Sequence, residues 1–170
     1  AAPRAPCVPP RGGPDAVASV GLLREAFGGS SDFETGTLLA IHYWPVRDNL
    51  TLGIKAEANL SFDDAPFYTR PFINLRGVAI RRYVGEYAAD VEVEARWQRW
   101  GRFSLVGFAG TGVAWSNDDR FDESQTVVTG GLGFRYEVAR RYGLHMGLDV
   151  AFGPDDPALY VQFGNAWFRP

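Results

Sequence analysis

The chain has 170 residues, a formal net charge of −3, 14% aromatic residues and 20 glycines, with a mean hydropathy of −0.15. That length bounds it to one domain, and the composition argues against both a disordered segment and a strongly basic nucleic-acid binder. Cys7 is the single cysteine, which excludes an internal disulfide and a thiolate metal cluster; beside Pro9 and Pro10 it reads as an inert linker residue.

No stretch reaches the roughly 20 consecutive apolar residues that a membrane-spanning helix requires, and the best local run, Leu38 to Trp44, is broken by His42. A transmembrane barrel stays compatible with this hydropathy, because its strands alternate apolar and polar residues. Residues 1–15 carry several Pro and Gly without periodicity and are expected to be a linker or leader remnant, the domain proper running over 16–170. Without an initiator Met or a charged n-region before an apolar run, the sequence reads as a mature form or an excerpt.

From residue 16 onward, runs of about ten residues alternate in polarity between turn-forming clusters. The pattern predicts about eight strands. The first is Ser19 to Phe27, followed by a long loop, Gly28 to Gly36. The second, Thr37 to Val46, meets the third, Leu50 to Phe62, across a tight turn. After the longest loop, Asp63 to Tyr87, come Ala88 to Gln98 and, past another tight turn, Phe103 to Trp115. A loop over Asn117 to Gln125 leads to Thr126 to Ala139, a short turn at Arg140 to Gly143 to Leu144 to Phe152, and an intermediate loop at Gly153 to Pro157 to the last strand, Leu159 to Phe168. About ten residues is the length of a tilted strand that crosses a bilayer.

Alternation is clearest in the third and fourth strands. Leu50, Leu52, Ile54, Ala56, Ala58, Leu60 and Phe62 oppose Thr51, Gly53, Lys55, Glu57, Asn59 and Ser61; Val91, Val93, Ala95 and Trp97 oppose Asp90, Glu92, Glu94, Arg96 and Gln98. A soluble sandwich shows the same alternation with its apolar face inward, so periodicity alone does not choose between water and lipid. Connection length helps: short turns on one rim and long loops on the other is the outer-membrane arrangement. The short turns carry Arg47, Arg99, Arg102, Arg140 and Arg141, and the loops gather acids such as Asp63, Asp64, Asp118, Asp119, Asp155 and Asp156. Aromatics cluster at both ends of the strands, Tyr43, Trp44, Trp97, Trp100, Tyr136, Tyr142 and Trp167 near the short turns and Phe62, Phe67, Tyr68, Trp115 and Phe152 near the loops, as belts at two headgroup boundaries do.

In the longest loop, Leu75-Arg76-Gly77-Val78 is followed by Tyr83, Gly85 and the Glu-rich run Val91-Glu92-Val93-Glu94-Ala95-Arg96. Gly131-Leu132-Gly133-Phe134-Arg135-Tyr136, Leu148-Asp149-Val150-Ala151 and Gln162-Phe163-Gly164-Asn165-Ala166-Trp167 follow in order. This series, from about Ser19 to Phe168, resembles the C-terminal barrel half of the BamA/TamA-type bacterial surface antigen family. The resemblance implies an all-β, antiparallel transmembrane β-barrel whose eight strands here are the last half of sixteen. It also implies a loop that folds back into the lumen through its Arg-Gly pair.

Elementary chemistry gives that pair a reason of its own. A loop in a confined lumen needs a charged anchor with a carboxylate on the wall, and Gly77 removes a side chain where backbone passes close. By the alternation Glu92 and Glu94 both face the lumen and either is a partner for Arg76; in the family the partner corresponds best to Glu94. A family Phe-x-Asp-x-Gly pattern is replaced by Phe108-Ala109-Gly110-Thr111-Gly112, which lacks the second carboxylate, and Asp149 is the candidate substitute. The final strand resembles an outer-membrane targeting signal at Gln162, Gly164 and Trp167, although Phe168, Arg169 and Pro170 follow it.

Other chemistry is weakly signalled. His42 and His145 lie on different strands, and only His145 with Asp149 forms a same-face pair, too few groups for a metal site or a triad. Asn117 to Glu123 is oxygen-rich without the spacing of a calcium loop, and Gly130, Gly131 and Gly133 sit inside an alternating strand rather than before a helix. The expectation is therefore a bacterial outer-membrane protein without catalytic residues, metal or cofactor. It would assist insertion of outer-membrane proteins or translocation of substrates. Its partners would be outer-membrane lipid and lipopolysaccharide, unfolded outer-membrane protein substrates and the barrel assembly machinery. The alternatives are a small complete eight-stranded barrel with a structural or adhesive role and a soluble ligand-binding β-barrel.

Overall fold

The computed structural model describes residues 15–23, 33–62, 69–116, 124–139, 144–163 and 167. Their regular structure is all β, one eight-stranded antiparallel sheet in which every strand pairs with its neighbours in chain order. The strands are β1 (Asp15–Leu23), β2 (Phe33–Arg47), β3 (Leu50–Phe62), β4 (Tyr87–Trp100), β5 (Phe103–Trp115), β6 (Gln125–Ala139), β7 (Leu144–Phe152) and β8 (Ala158–Phe163). Among the described residues no ladder joins β8 to β1, so this sheet is open rather than a closed barrel.

The third, fifth and seventh strands match the limits read from the alternation, and the ends of the sheet differ. β1 lies four residues nearer the N-terminus than expected, so Asp15 belongs to a strand and not to a linker. Its place is set by pairing, from Asp15 opposite Ile41 to Leu23 opposite Phe33, and β2 begins earlier than its own alternation suggested. Among the described residues β8 pairs with β7 from Ala158 to Phe163 and Trp167 stands outside the ladder; residues 164–166 and 168, which the expected last strand includes, lie outside the described residues. Cys7, Gly164 and the oxygen-rich stretch 117–123 lie outside the described residues.

Three hairpins share one construction at the rim of short connections. β2–β3, β4–β5 and β6–β7 each shift register just before the turn, at Pro45/Arg47, Gln98/Trp100 and Glu137/Ala139. A bulge there adds twist and re-aims side chains at the sheet's rim. At the β4–β5 turn Gly101 takes φ +51°, the left-handed conformation that glycine adopts without steric cost.

The two faces of the sheet are inverted relative to a water-soluble fold. On β4, Asp90, Glu92 and Glu94 are buried, Glu92 being only 1% exposed, whereas Val91 and Val93 on the other face stand out, Val93 at 47%. β7 repeats this, with His145, Asp149 and Ala151 inward and Leu144, Met146, Leu148, Val150 and Phe152 outward. The inner face is covered by the loop between β3 and β4. Its Ile73, Leu75 and Val78 form an apolar cluster with Ala88, Ala114 and Val127. Room for this comes from β5: a Cβ on Gly112 would lie 2.6 Å from Ile73, and one on Gly110 2.9 Å from Leu75.

Candidate functional site

The loop enters over β3–β4 and is held near its base by a bridge between Phe72 and Val84, with the Ile73 amide donating to the Tyr83 carbonyl. Between these anchors the tip, Leu75-Arg76-Gly77-Val78, is buried at every residue. Gly77 has φ +91°, where an L side chain is strained, and a Cβ there would lie 3.1 Å from the Phe152 carbonyl oxygen. Its amide donates to the Tyr160 hydroxyl at 3.0 Å, which ties the tip to β8. The glycine expected where backbone passes close therefore sits against the end of β7.

Arg76 reaches three carboxylates on two strands. Its Nε and Nη2 donate to Glu92 Oε1 at 3.0 and 2.7 Å, Nη2 also lies 2.9 Å from Glu94 Oε2, and Nη1 donates to Asp149 Oδ2 at 3.0 Å. The Phe108 ring lies beneath, its centroid 3.7 Å from Cζ. Burial opposes the guanidinium's charge. The hydrogen bond and attraction of Glu92, with the charges of Glu94 and Asp149, outweigh it and hold the pKa of Arg76 above the ordinary arginine value. Arg76 thus meets both glutamates expected of it; Glu92 takes two of its side-chain donors and its backbone amide, and Glu94 shares one, so the closer partner is Glu92.

Asp149, the third carboxylate singled out in the sequence, does meet Arg76. It sits on β7, fully buried, between two arginines: Arg76 on one side and, on the other, Arg135 of β6, whose Nη1 and Nη2 both donate to it, the latter at 2.8 Å. On a flat sheet β4 and β7, three strands apart, would stand about 14 Å from each other. One guanidinium touches carboxylates on both, and Trp167, only four residues past the end of β8, reaches Tyr43, Gly53 and Glu92 on β2, β3 and β4, so the sheet curls around the loop. Gly133 and Gly147 leave the inward space in which Arg135 and Asp149 meet.

A second ionic group lies beside the first. Lys55 of β3 sits 2.9 Å from Asp90 and 3.3 Å from Glu57, and donates to the Asn74 carbonyl at 2.8 Å, so it too fastens the loop to the wall. Arg96 pairs with Glu94 at 3.2 Å. Between the two groups is a cavity of about 210 Å³ bordered by Leu39, Lys55, Arg76, Glu92 and Trp167. A larger one, about 390 Å³, lies near the loop's entry between Thr35, Thr37, Asn59, Arg70 and Phe72.

Trp167 departs from its expected place in an outer aromatic belt. Its indole stacks on Tyr43 at 5.2 Å between centroids, its Nε1 donates to Glu92 Oε1, and it lies over Gly53, where a Cβ would come within 2.8 Å of it. Tyr43 likewise belongs to the inner face. Both turn inward because Gly53, opposite Tyr43 in the ladder, leaves a hollow that two flat rings fill. Gln162 is buried on β8. His145 is buried on the face of Asp149 and stands opposite Glu137; His42 pairs with Ile54 on the other face, in ring contact with Trp44.

The arrangement places guanidinium and ammonium groups against carboxylates, with an aromatic ring under one of them. Its chemistry is that of a clamp holding a loop inside a curled sheet. Arg135, Phe108 and Tyr160 were not foreseen as parts of it. Arg135 had a readable signal, a lone arginine two residues from Gly133 on the same strand face as the glycines. A scan against protein-family models finds no match to this chain, and a search among curated proteins finds none.

Proposed function

We propose that this chain is part of a transmembrane β-barrel of the bacterial outer membrane, of the BamA/TamA-type surface antigen kind, acting by inserting or passing other polypeptides. The observation that carries this reading is the inversion of the two faces. Lys55, Arg76, Asp90, Glu92, Glu94, Arg135 and Asp149 are buried together, while Leu52, Val93, Leu132, Leu148, Val150 and Phe152 face outward, Leu132 at 72% exposure. Water would not stabilise that distribution, because exposed apolar surface costs about 25 cal/mol per Å². Hydrocarbon outside and a wet, ionic interior would.

The outer face also has the right height. Along β4, Tyr87 and Trp97 mark its two ends, ten residues apart, or about 34 Å of strand. Tilted by ~35–45°, that spans an apolar band of about 25 Å. Tyr87, Phe62 and Trp115 are in ring contact at the loop end, and Phe103, Phe134 and Tyr136 at the short-turn end. The loop clamp then acts as a strut that braces the wall while a substrate is handled. Among the described residues β1 and β8 each keep one unpaired edge, which supports a barrel completed by further strands over a small, self-contained one of eight.

The test is refolding of the full-length protein that carries this chain into detergent or lipid, followed by unheated and heated electrophoresis. We expect the unheated protein to migrate faster, and Arg76→Ala to lower the temperature at which that difference is lost. A chain that stays folded and monodisperse in plain buffer would sink the membrane reading.

A further inference from the structure

The β4–β5 hairpin carries a run that the loop clamp does not use: Trp97-Gln98-Arg99-Trp100-Gly101-Arg102-Phe103. It alternates rings and guanidinium groups and contains no carboxylate. Trp97, Arg99, Trp100, Arg102 and Phe103 are all exposed. The register shift between Gln98 and Trp100 makes Arg99 the extra residue of a bulge, on the face of Trp97, and its Cζ stands 5.5 Å from the Trp97 ring. Arg102 follows Gly101 in the turn and its Nη1 donates to the Tyr136 hydroxyl at 3.5 Å. Both guanidinium groups are thus held by aromatic side chains of the outer face.

Among the described residues neither Arg99 nor Arg102 has a carboxylate partner. This distinguishes them from Arg82 at the opposite rim, which lies 3.6 Å from Asp155, and from Arg47, whose turn also contains Asp48. Two uncompensated forks at the edge of an apolar face, flanked by indoles, complement a phosphate at the level where an acyl chain begins. Guanidinium groups meet phosphate oxygens through paired donors, and indoles favour the headgroup boundary.

We propose that this hairpin binds the headgroup of an anionic glycerophospholipid in the leaflet that faces the short turns. Arg99 and Arg102 hold the phosphate, and Trp97, Trp100 and Phe103 lie along the acyl chains. The inference rests on the membrane reading above and names a partner for it. Each unpaired arginine near a bilayer surface favours an anionic lipid by roughly fivefold.

The experiment is native mass spectrometry of the full-length protein that carries this chain, released from nanodiscs with equal amounts of phosphatidylglycerol and phosphatidylcholine. Wild type is expected to retain phosphatidylglycerol preferentially, and R99Q/R102Q to lose most of that preference. R82Q, at the other rim, keeps it. Should the double variant fail to fold, wild type at high salt serves instead, because screening must lower the ratio. A full-length protein carrying this chain that does not enter nanodiscs overturns both this proposal and the membrane reading. One that enters them but retains the two lipids equally, or whose preference survives R99Q/R102Q or high salt, overturns the lipid site alone.

Discussion

Arg76 and Gly77 do opposite things with the same few ångströms. Arg76 fills the inner face with a fork that three carboxylates and one ring share, and Gly77 stays bare so that the backbone can lie against Phe152 and Gly153. Removing one partner of a buried ionic group leaves the rest uncompensated, so Arg76→Ala should cost about 3–5 kcal/mol in chemical denaturation from detergent. Arg76→Lys should recover only part of it, because a single ammonium cannot reach Glu92, Glu94 and Asp149 together. Gly77→Ala strains a φ of +91° and presses toward a carbonyl oxygen, and a loss of about 1–3 kcal/mol is expected in the same measurement. An Arg76→Ala variant as stable as wild type would show that the loop is held by its other ties, the apolar contacts of Ile73, Leu75 and Val78 and the hydrogen bonds of Lys55 and Tyr160.

Among the strands, β6 exposes the consequence of two-residue alternation most plainly. Val127, Thr129, Arg135 and Glu137 are buried on one side, and Val128, Leu132, Phe134 and Val138 are exposed on the other. Leu132 lies at the middle of this strand, opposite Gly107 on one side and Val150 on the other. In water, replacing so exposed a leucine by arginine would be nearly neutral. In the middle of a bilayer it should cost about 2–4 kcal/mol, so unfolding of Leu132→Arg from lipid vesicles separates the two solvents directly. A neutral result there would argue that this face meets water or another protein.

At the scale of the whole molecule, the described residues form an open, curled sheet around its own loop, with ties that cross the sheet rather than run along it. Arg76 joins β4 to β7, the Gly77 amide reaches Tyr160 on β8, and Trp167 reaches back to β2, β3 and β4. Trp167 shares Glu92 with Arg76, so the C-terminal end of the chain and the loop tip are fastened to one carboxylate. Trp167→Phe keeps the stack on Tyr43 and deletes the donor; a hydrogen bond to a charged group contributes about 1.5–3 kcal/mol, and a drop of that order in unfolding free energy is expected. A cycle combining it with Arg76→Ala should be non-additive if the two residues share Glu92, and additive effects would show that they act separately.

Sequence alone was enough for the number of strands, for the limits of β3, β5 and β7, and for the division of β4 into an acidic and an apolar side, because a strand's faces follow from a period of two and its ends from turn residues. It also singled out Leu75 to Val78, Glu92, Glu94 and Asp149 as the residues of interest. Only the tertiary structure decided that Glu92 and not Glu94 takes most of Arg76, that Arg135 and Phe108 complete the clamp, and that Tyr43 and Trp167 turn inward. Those choices depend on how far the sheet curls and on where Gly53, Gly110, Gly112 and Gly133 leave space, which bring together strands far apart in the chain. The first strand's register was likewise a matter of pairing with β2, which alternation within a single segment cannot express.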